Sequence, residues 1–298
     1  MRLKKFLLFG LGILIGALIY FLLSQAGNLT FLNSNLDDPF SEYEQDKFQF
    51  QDFPAIVVKP NQTAPENPWI WRARFWGHEP QVDLALLELG YHVVFVDAPD
   101  LYGSPSAVKL WDDFYAHLLD TYRLNPLCVL EGMSRGGLYV YNWASKNTDK
   151  VTSIYADAPV CDIKSWPGGK GSSEGSASDW EKLLLAYQID EQEALTYEDI
   201  PLFNAVSIAK EKIPVIHVCG AMDEVVPMEE NTYPLMELFE KNGHEIYLIL
   251  KENVGHHPHS LEDPAPIVAF IVENSYPSLR ARLTLSPQAE KILTNSAN

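Results

Sequence analysis

Hydrophobic and polar positions along this chain follow two rhythms. Short apolar, β-rich runs occupy Phe53–Lys59, Trp69–Ala73, Tyr91–Val96, Leu127–Leu130, Val151–Ala156, Pro214–Cys219 and Glu245–Leu250, with a further strand candidate at Lys47–Gln51. Between them, apolar residues recur every three or four positions, which predicts helices. Val82, Ala85, Leu86 and Leu89 do so ahead of Gly90, which suits the helix-closing position. Val108, Trp111, Tyr115, Leu118, Leu119 and Tyr122 repeat the pattern within Ala107–Leu124. Gly137–Ala144, Tyr233–Lys241 and Pro264–Glu273 also read as helices, and Trp180–Ala209 as a broken helical region. Strands alternating with helices predict right-handed βαβ units, and so an α/β fold with a mostly parallel central sheet and helices on both faces. Such sheets carry their sites at the carboxyl ends of the strands.

The periodic region, 47–276, is long enough for one large domain. Within it, 162–178 is rich in Gly and Ser around Trp166, and reads as a mobile loop. Together with the broken helices it suggests a small cap or lid over about 162–209. Residues 27–46 are polar and read as a linker, and 277–298 as a peripheral tail. The start differs in kind. Arg2, Lys4 and Lys5 precede an uncharged run from Phe6 to Leu23, close to the shortest length that spans a bilayer. Ser24-Gln25-Ala26 then offers a small-x-small cleavage signal. Residues 1–26 are therefore expected to be a signal peptide or an uncleaved anchor. Either places the rest outside the cytoplasm, in the periplasm or beyond, or held at the membrane through 6–23.

The formal charge of −18 leaves no basic face for nucleic acid, and no nucleic-acid partner is expected. Three cysteines, Cys128, Cys161 and Cys219, cannot all pair internally. Each lies in or at the end of an apolar run, so buried free thiols are expected.

Candidate chemistry centres on Gly132-Met133-Ser134-Arg135-Gly136, a Gly-x-Ser-x-Gly between a strand and a helix. That context is the one in which a sharp turn lifts a serine hydroxyl above a sheet edge. A Cβ at Gly132 or Gly136 is expected to collide with the adjoining elements. A serine hydroxyl is a weak nucleophile and needs a base that an acid orients. The acid candidates are Asp223, in Gly220-Ala221-Met222-Asp223-Glu224-Val225-Val226-Pro227, and Asp157 at the end of an earlier strand. His256 follows Gly255 directly and is preferred as the base over His257 and His259. The three histidines share one short loop without a Cys or carboxylate ligand pattern, so neither metal nor cofactor is expected.

These three segments, in the order Ser, acid, His, resemble the α/β-hydrolase superfamily from about Phe53 to Ile271. The resemblance is greatest to exported bacterial esterase-like members and to the prolyl-oligopeptidase-type branch. It implies an α/β-hydrolase fold with Ser134 as nucleophile, His256 as base and Asp223 as acid. It also implies an oxyanion hole from the N–H of Arg135 and of Ala73 or Arg74. The chain departs from the family at Trp71-Arg72-Ala73-Arg74-Phe75-Trp76-Gly77-His78, where many members carry His-Gly. Trp166, Arg72 and His257 are candidate substrate contacts. The expected function is a serine hydrolase that cleaves carboxylic esters through an acyl-enzyme, small-molecule or carbohydrate esters among them. The alternatives are a prolyl-oligopeptidase-type peptidase and a non-catalytic binding protein on the same scaffold.

Overall fold

The structure is a computed structural model that describes residues 38–275. The expected signal segment and the tail over 277–298 lie outside the described residues. Among the described residues no helix is long and apolar enough to cross a membrane.

Among the described residues, eight strands form one sheet: β1 (Glu44–Phe50), β2 (Phe53–Lys59), β3 (Trp69–Arg72), β4 (His92–Val96), β5 (Cys128–Met133), β6 (Val151–Asp157), β7 (Val215–Gly220) and β8 (Ile246–Lys251). Their order is β1-β2-β4-β3-β5-β6-β7-β8. The pairs β1–β2 and β2–β4 are antiparallel, and every later pair is parallel. This is the α/β-hydrolase fold. The helices are α1 (Gln81–Glu88), α2 (Pro105–Tyr122), α3 (Gly136–Ala144), four short cap helices, α8 (Thr232–Lys241) and α9 (Ala265–Glu273). The cap helices are α4 (Ala177–Tyr187), α5 (Glu191–Ala194), α6 (Pro201–Asn204) and α7 (Val206–Lys210).

Successive side chains of a strand face opposite sides, so each central strand feeds two cores. In β3, Ile70 joins the cluster with Val82 and Leu86 of α1 and Ile267, Val268 and Ile271 of α9. Its neighbour Trp71 joins the opposite cluster with Trp111, Phe114 and Trp143. Trp71 stacks on Trp111 with ring centroids 4.0 Å apart. The central strands are buried on both faces, which is why they read as unbroken apolar runs rather than alternating ones.

The expected linker overlaps packed chain from Asp38 onward. Phe40 is fully buried and lies 4.6 Å from the Trp76 ring. Asp38 pairs with Lys47 at 3.1 Å.

One buried charge cluster ties β3 to β5. Arg72, at 1% exposure, reaches Glu131 at 2.9 Å and bonds Asp83 of α1. Its Nε also donates to the carbonyls of Arg74 and Phe75, and its other amino group to that of His78. Arg72 therefore shapes the turn after β3 from within and does not face a substrate. The expectation of a substrate contact at Arg72 is corrected on that ground. Removing the guanidinium would leave buried carboxylate uncompensated, at a cost of about 3–5 kcal/mol.

With two carboxyls facing one guanidinium, burial holds the Glu131 carboxyl well above the usual carboxylate range, against the attraction of Arg72. The folded chain thus keeps a proton that the unfolded chain releases near its ordinary value. Stability conferred by that proton is present at low pH and falls as pH rises between the two values, by at most ~1.4 kcal/mol per unit. Glu131→Gln replaces the neutral acid by a neutral amide. Thermal melts from about pH 5 to pH 8 should show the variant gaining on the native chain as pH rises. Parallel profiles would show that Glu131 holds no such proton.

Candidate active site

Ser134 sits where β5 turns into α3, with a left-handed backbone at φ 49°. A residue with a Cβ adopts that conformation at a cost of roughly 1–3 kcal/mol, so the surroundings must enforce it. They do so through three hydrogen bonds. The Ser134 N–H donates to the Asp157 carbonyl at 2.8 Å. Its own carbonyl accepts from Gly137 N–H and Val160 N–H, both at 2.9 Å. The glycine requirement is partly displaced from where the sequence suggested it. A Cβ at Gly132 would lie 2.8 Å from a Val140 methyl and 2.9 Å from the Gly136 carbonyl. At Gly137 it would lie 2.7 Å from Pro159. At Gly136 it would make only ordinary contact, with Ala73 at 3.4 Å. The crowded pair is therefore Gly132 and Gly137.

His256 Nε2 lies 3.0 Å from Ser134 Oγ, and His256 Nδ1 lies 2.7 Å from Asp223 Oδ2. The other Asp223 oxygen accepts from Val225 N–H at 2.9 Å and Val226 N–H at 2.8 Å. Those two donors explain why the acid sits in a tight turn just before Val225-Val226-Pro227. The acid and histidine loops are joined through their backbones. Ala221 N–H bonds the Lys251 carbonyl at 3.0 Å, and Met222 N–H bonds that of Val254 at 2.9 Å. At Gly220 a Cβ would fall 2.1 Å from the Gly255 carbonyl oxygen, so only glycine permits this approach. Lys251 Nζ then holds the far end of the histidine loop through the Pro258 carbonyl at 2.6 Å. Ser134, Asp223 and His256 follow β5, β7 and β8, on one edge of the sheet.

Of the two candidates for a second oxyanion donor, Ala73 N–H is engaged with the Glu131 carbonyl at 2.9 Å. That removes Ala73 and leaves Arg74. Arg74 stands beside the elbow, its Cβ 3.7 Å from where a Gly136 Cβ would be, and its guanidinium pairs with Asp97 at 2.8 Å. Arg135 opens α3, and its guanidinium lies over the Trp166 ring at 4.6 Å and pairs with Asp179 of α4 at 2.7 Å. Burial opposes ionisation of Asp179, but hydrogen bonds from Ser176 and Tyr102 and the Arg135 charge hold its carboxyl below the usual range.

A cleft of about 480 Å³ opens above Ser134 and His256, walled by Phe75, Trp76, Trp166 and Val225. Trp166 is at the cleft as expected, but the loop around it is fastened. Trp166 is 5% exposed. Ser172 bonds Glu230 through its N–H at 2.5 Å and its hydroxyl at 2.7 Å. Ser173 Oγ donates to the Val225 carbonyl at 2.7 Å. Gly175, with φ +67°, lies against Gly169, where a Cβ would fall 2.5 Å from its nitrogen. These glycines permit close backbone packing, a use that composition alone does not reveal.

His257 is exposed at the cleft, and Asp157 is engaged elsewhere. Asp157 Oδ1 accepts from His259 Nδ1 at 2.6 Å, while Oδ2 accepts from Tyr155 and from Ser260 N–H. This second Asp–His pair runs alongside the first, with the His256 and His259 rings 4.8 Å apart. His78 was not singled out from sequence. The turn built on Arg72 brings it to this cleft, although it stands 179 and 181 positions before His257 and His259 in the chain. Burial and the neighbouring His259 lower the proton affinity of both His78 and His257. All three cysteines are free and buried.

Fold and site together define a serine hydrolase of the α/β-hydrolase superfamily. The chain belongs to the prolyl oligopeptidase family, whose model matches residues 116–275. Solved structures agree on the fold. An acylaminoacyl peptidase from Pyrococcus horikoshii is 16% identical, with a TM-score of 0.53, covering 72% of this chain and 37% of that one. A puromycin-hydrolyzing peptidase from Mycobacterium tuberculosis is 16% identical, with a TM-score of 0.57, covering 77% and 38%. A membrane phospholipase A described as a bacterial virulence factor is 17% identical, with a TM-score of 0.52, covering 91% and 99%. The chain spans less than half the length of the peptidase structures it resembles. No curated protein matches it.

The glycine geometry is directly testable. Gly137→Ala should destabilise by about 1–3 kcal/mol through overpacking against Pro159. Gly136→Ala should be near neutral or stabilising by up to ~1 kcal/mol, since Gly136 begins a helix. Chemical denaturation separates the two; equal losses would refute the displaced requirement.

Proposed function

We propose that this chain is a serine peptidase of the prolyl-oligopeptidase type, cleaving aminoacyl or short peptidyl amide bonds next to an apolar side chain. The observation that carries the reading is the continuous relay Asp223–His256–Ser134, at 2.7 and 3.0 Å, on the floor of an aromatic-walled cleft. Family membership supports peptide chemistry over the ester chemistry expected from sequence.

Ser134 Oγ attacks the scissile carbonyl while His256 Nε2 takes its proton. Asp223 accepts the hydrogen bond from Nδ1–H, which fixes the tautomer and steadies the imidazolium. The oxyanion is held by Arg135 N–H, at the positive end of α3, and by Arg74 N–H. His256 returns the proton to the departing amine, and water then releases the acyl group by the same route. Phe75, Trp76 and Trp166 supply the apolar surface for the acyl side chain.

Ester hydrolysis is the second reading. It is favoured by the match to the membrane phospholipase A, which extends over nearly all of that chain. The two separate on unactivated substrates, because an activated ester yields to almost any acylating serine. Turnover of aminoacyl-anilides with an apolar side chain, well above that of unactivated alkyl or acetyl-sugar esters, is the expected result. The reverse preference would establish an esterase. A fluorophosphonate probe should label Ser134, and Ser134→Ala should lower kcat/KM by ~10⁴ with the fold intact. A folded native chain that neither labels nor turns over any substrate would leave only a binding role.

A further inference from the structure

We propose that His78, His257 and His259 form a binding site for a zinc-class divalent ion at the mouth of the active-site cleft, and that its occupancy blocks access to Ser134.

The three imidazoles come from two separate segments, the turn after β3 and the loop after β8. Each can offer one ring nitrogen, and the three nitrogens lie within 4.8 Å of one another. Rotations of exposed side chains close such distances, and His78 and His257 are both exposed. His259 is the fixed member, at 3% exposure. Its Nδ1–H is committed to Asp157 at 2.6 Å, which leaves Nε2 as its ligand atom. A carboxylate that orients a histidine from behind is the usual outer partner of a metal-bound imidazole. Asp157 is in turn held by Tyr155 and Ser260 N–H, so the orientation is rigid.

The neighbouring His256 is not a fourth member. Its two nitrogens face Ser134 and Asp223. The candidate ion site and the relay are thus adjacent and distinct. Three neutral imidazoles without a hard oxygen ligand select borderline ions of the zinc and copper kind over calcium or magnesium. Three protein ligands also leave a coordination position open toward the cleft.

His78, His257 and His259 line the same cleft as Ser134. An ion there, with the solvent it carries, would occupy space through which substrate must pass. This second part rests on Ser134 being the nucleophile proposed above. Zinc binding itself does not, so the two are read separately.

Isothermal titration of untagged protein with zinc chloride reads the site. The native chain should bind one equivalent, His78→Ala and His257→Ala should each weaken binding by roughly tenfold or more, and His256→Ala should retain it. No binding up to ~0.1 mM zinc, at the weak end of a useful site, would overturn the proposal. So would equal affinity in the native chain and His78→Ala, or loss of binding in His256→Ala alone. The rate of fluorophosphonate labelling reads the consequence. Zinc should slow labelling of the native chain, and His78→Ala should need correspondingly more zinc for the same slowing. Labelling unaffected by bound zinc would overturn the blocking role while the calorimetry stands. No labelling at any zinc level would instead strike at the reading of Ser134.

Discussion

A guanidinium shut away from water holds this site together. Arg72 is charged, buried and surrounded by acceptors that cannot be satisfied by solvent, so its partners are obligatory. One of them, Glu131, lies in β5 three residues before Ser134. Another, Asp83, belongs to α1, and three more are carbonyls of the turn that presents Arg74, Phe75 and His78. The serine elbow, the turn that carries Arg74 and the histidine rim are therefore set by one hub. Here a buried charge shapes the turn after β3, and the turn's side chains are freed to line the cleft.

Much of this was legible in the chain. The elbow, the acid and the histidine announced themselves because each needs a particular backbone: a left-handed turn at Ser134, two convergent N–H groups at Asp223, and a glycine ahead of His256. Strand and helix periods placed all of the major elements to within a few residues. What stayed hidden depended on distance across the fold. Arg72 read as a candidate substrate contact, since nothing local shows that Glu131 and Asp83 will enclose it. Asp157 looked like a rival acid, and it does hold a histidine, but His259 rather than His256. The Gly/Ser stretch around Trp166 looked slack because composition cannot tell a glycine that loosens a loop from one that lets two backbones touch.

The acid and histidine loops form a single mechanical piece. Gly220 brings one backbone against the other, and two ladder-like hydrogen bonds continue β7–β8 pairing beyond the strands. Glu230 and Val225 then carry the attachment to the cap through Ser172 and Ser173. Geometry at His256 is consequently supported from both sides, by its own sheet edge and by the cap, without any covalent brace.

That lack of a brace has a practical side in the three thiols. Burial above all pushes Cys219 up to about 12 and Cys161 and Cys128 well above their ordinary range, with nearby carboxylates adding to it at Cys219 and Cys161, so little thiolate is expected at neutral pH. The native chain is accordingly expected to stay silent to maleimides and to spin-label reagents while it stays folded. A cysteine introduced on the exposed flank of the cap, at Leu185 for instance, would then report alone, and the motion of the cap relative to the sheet could be followed with no background to subtract.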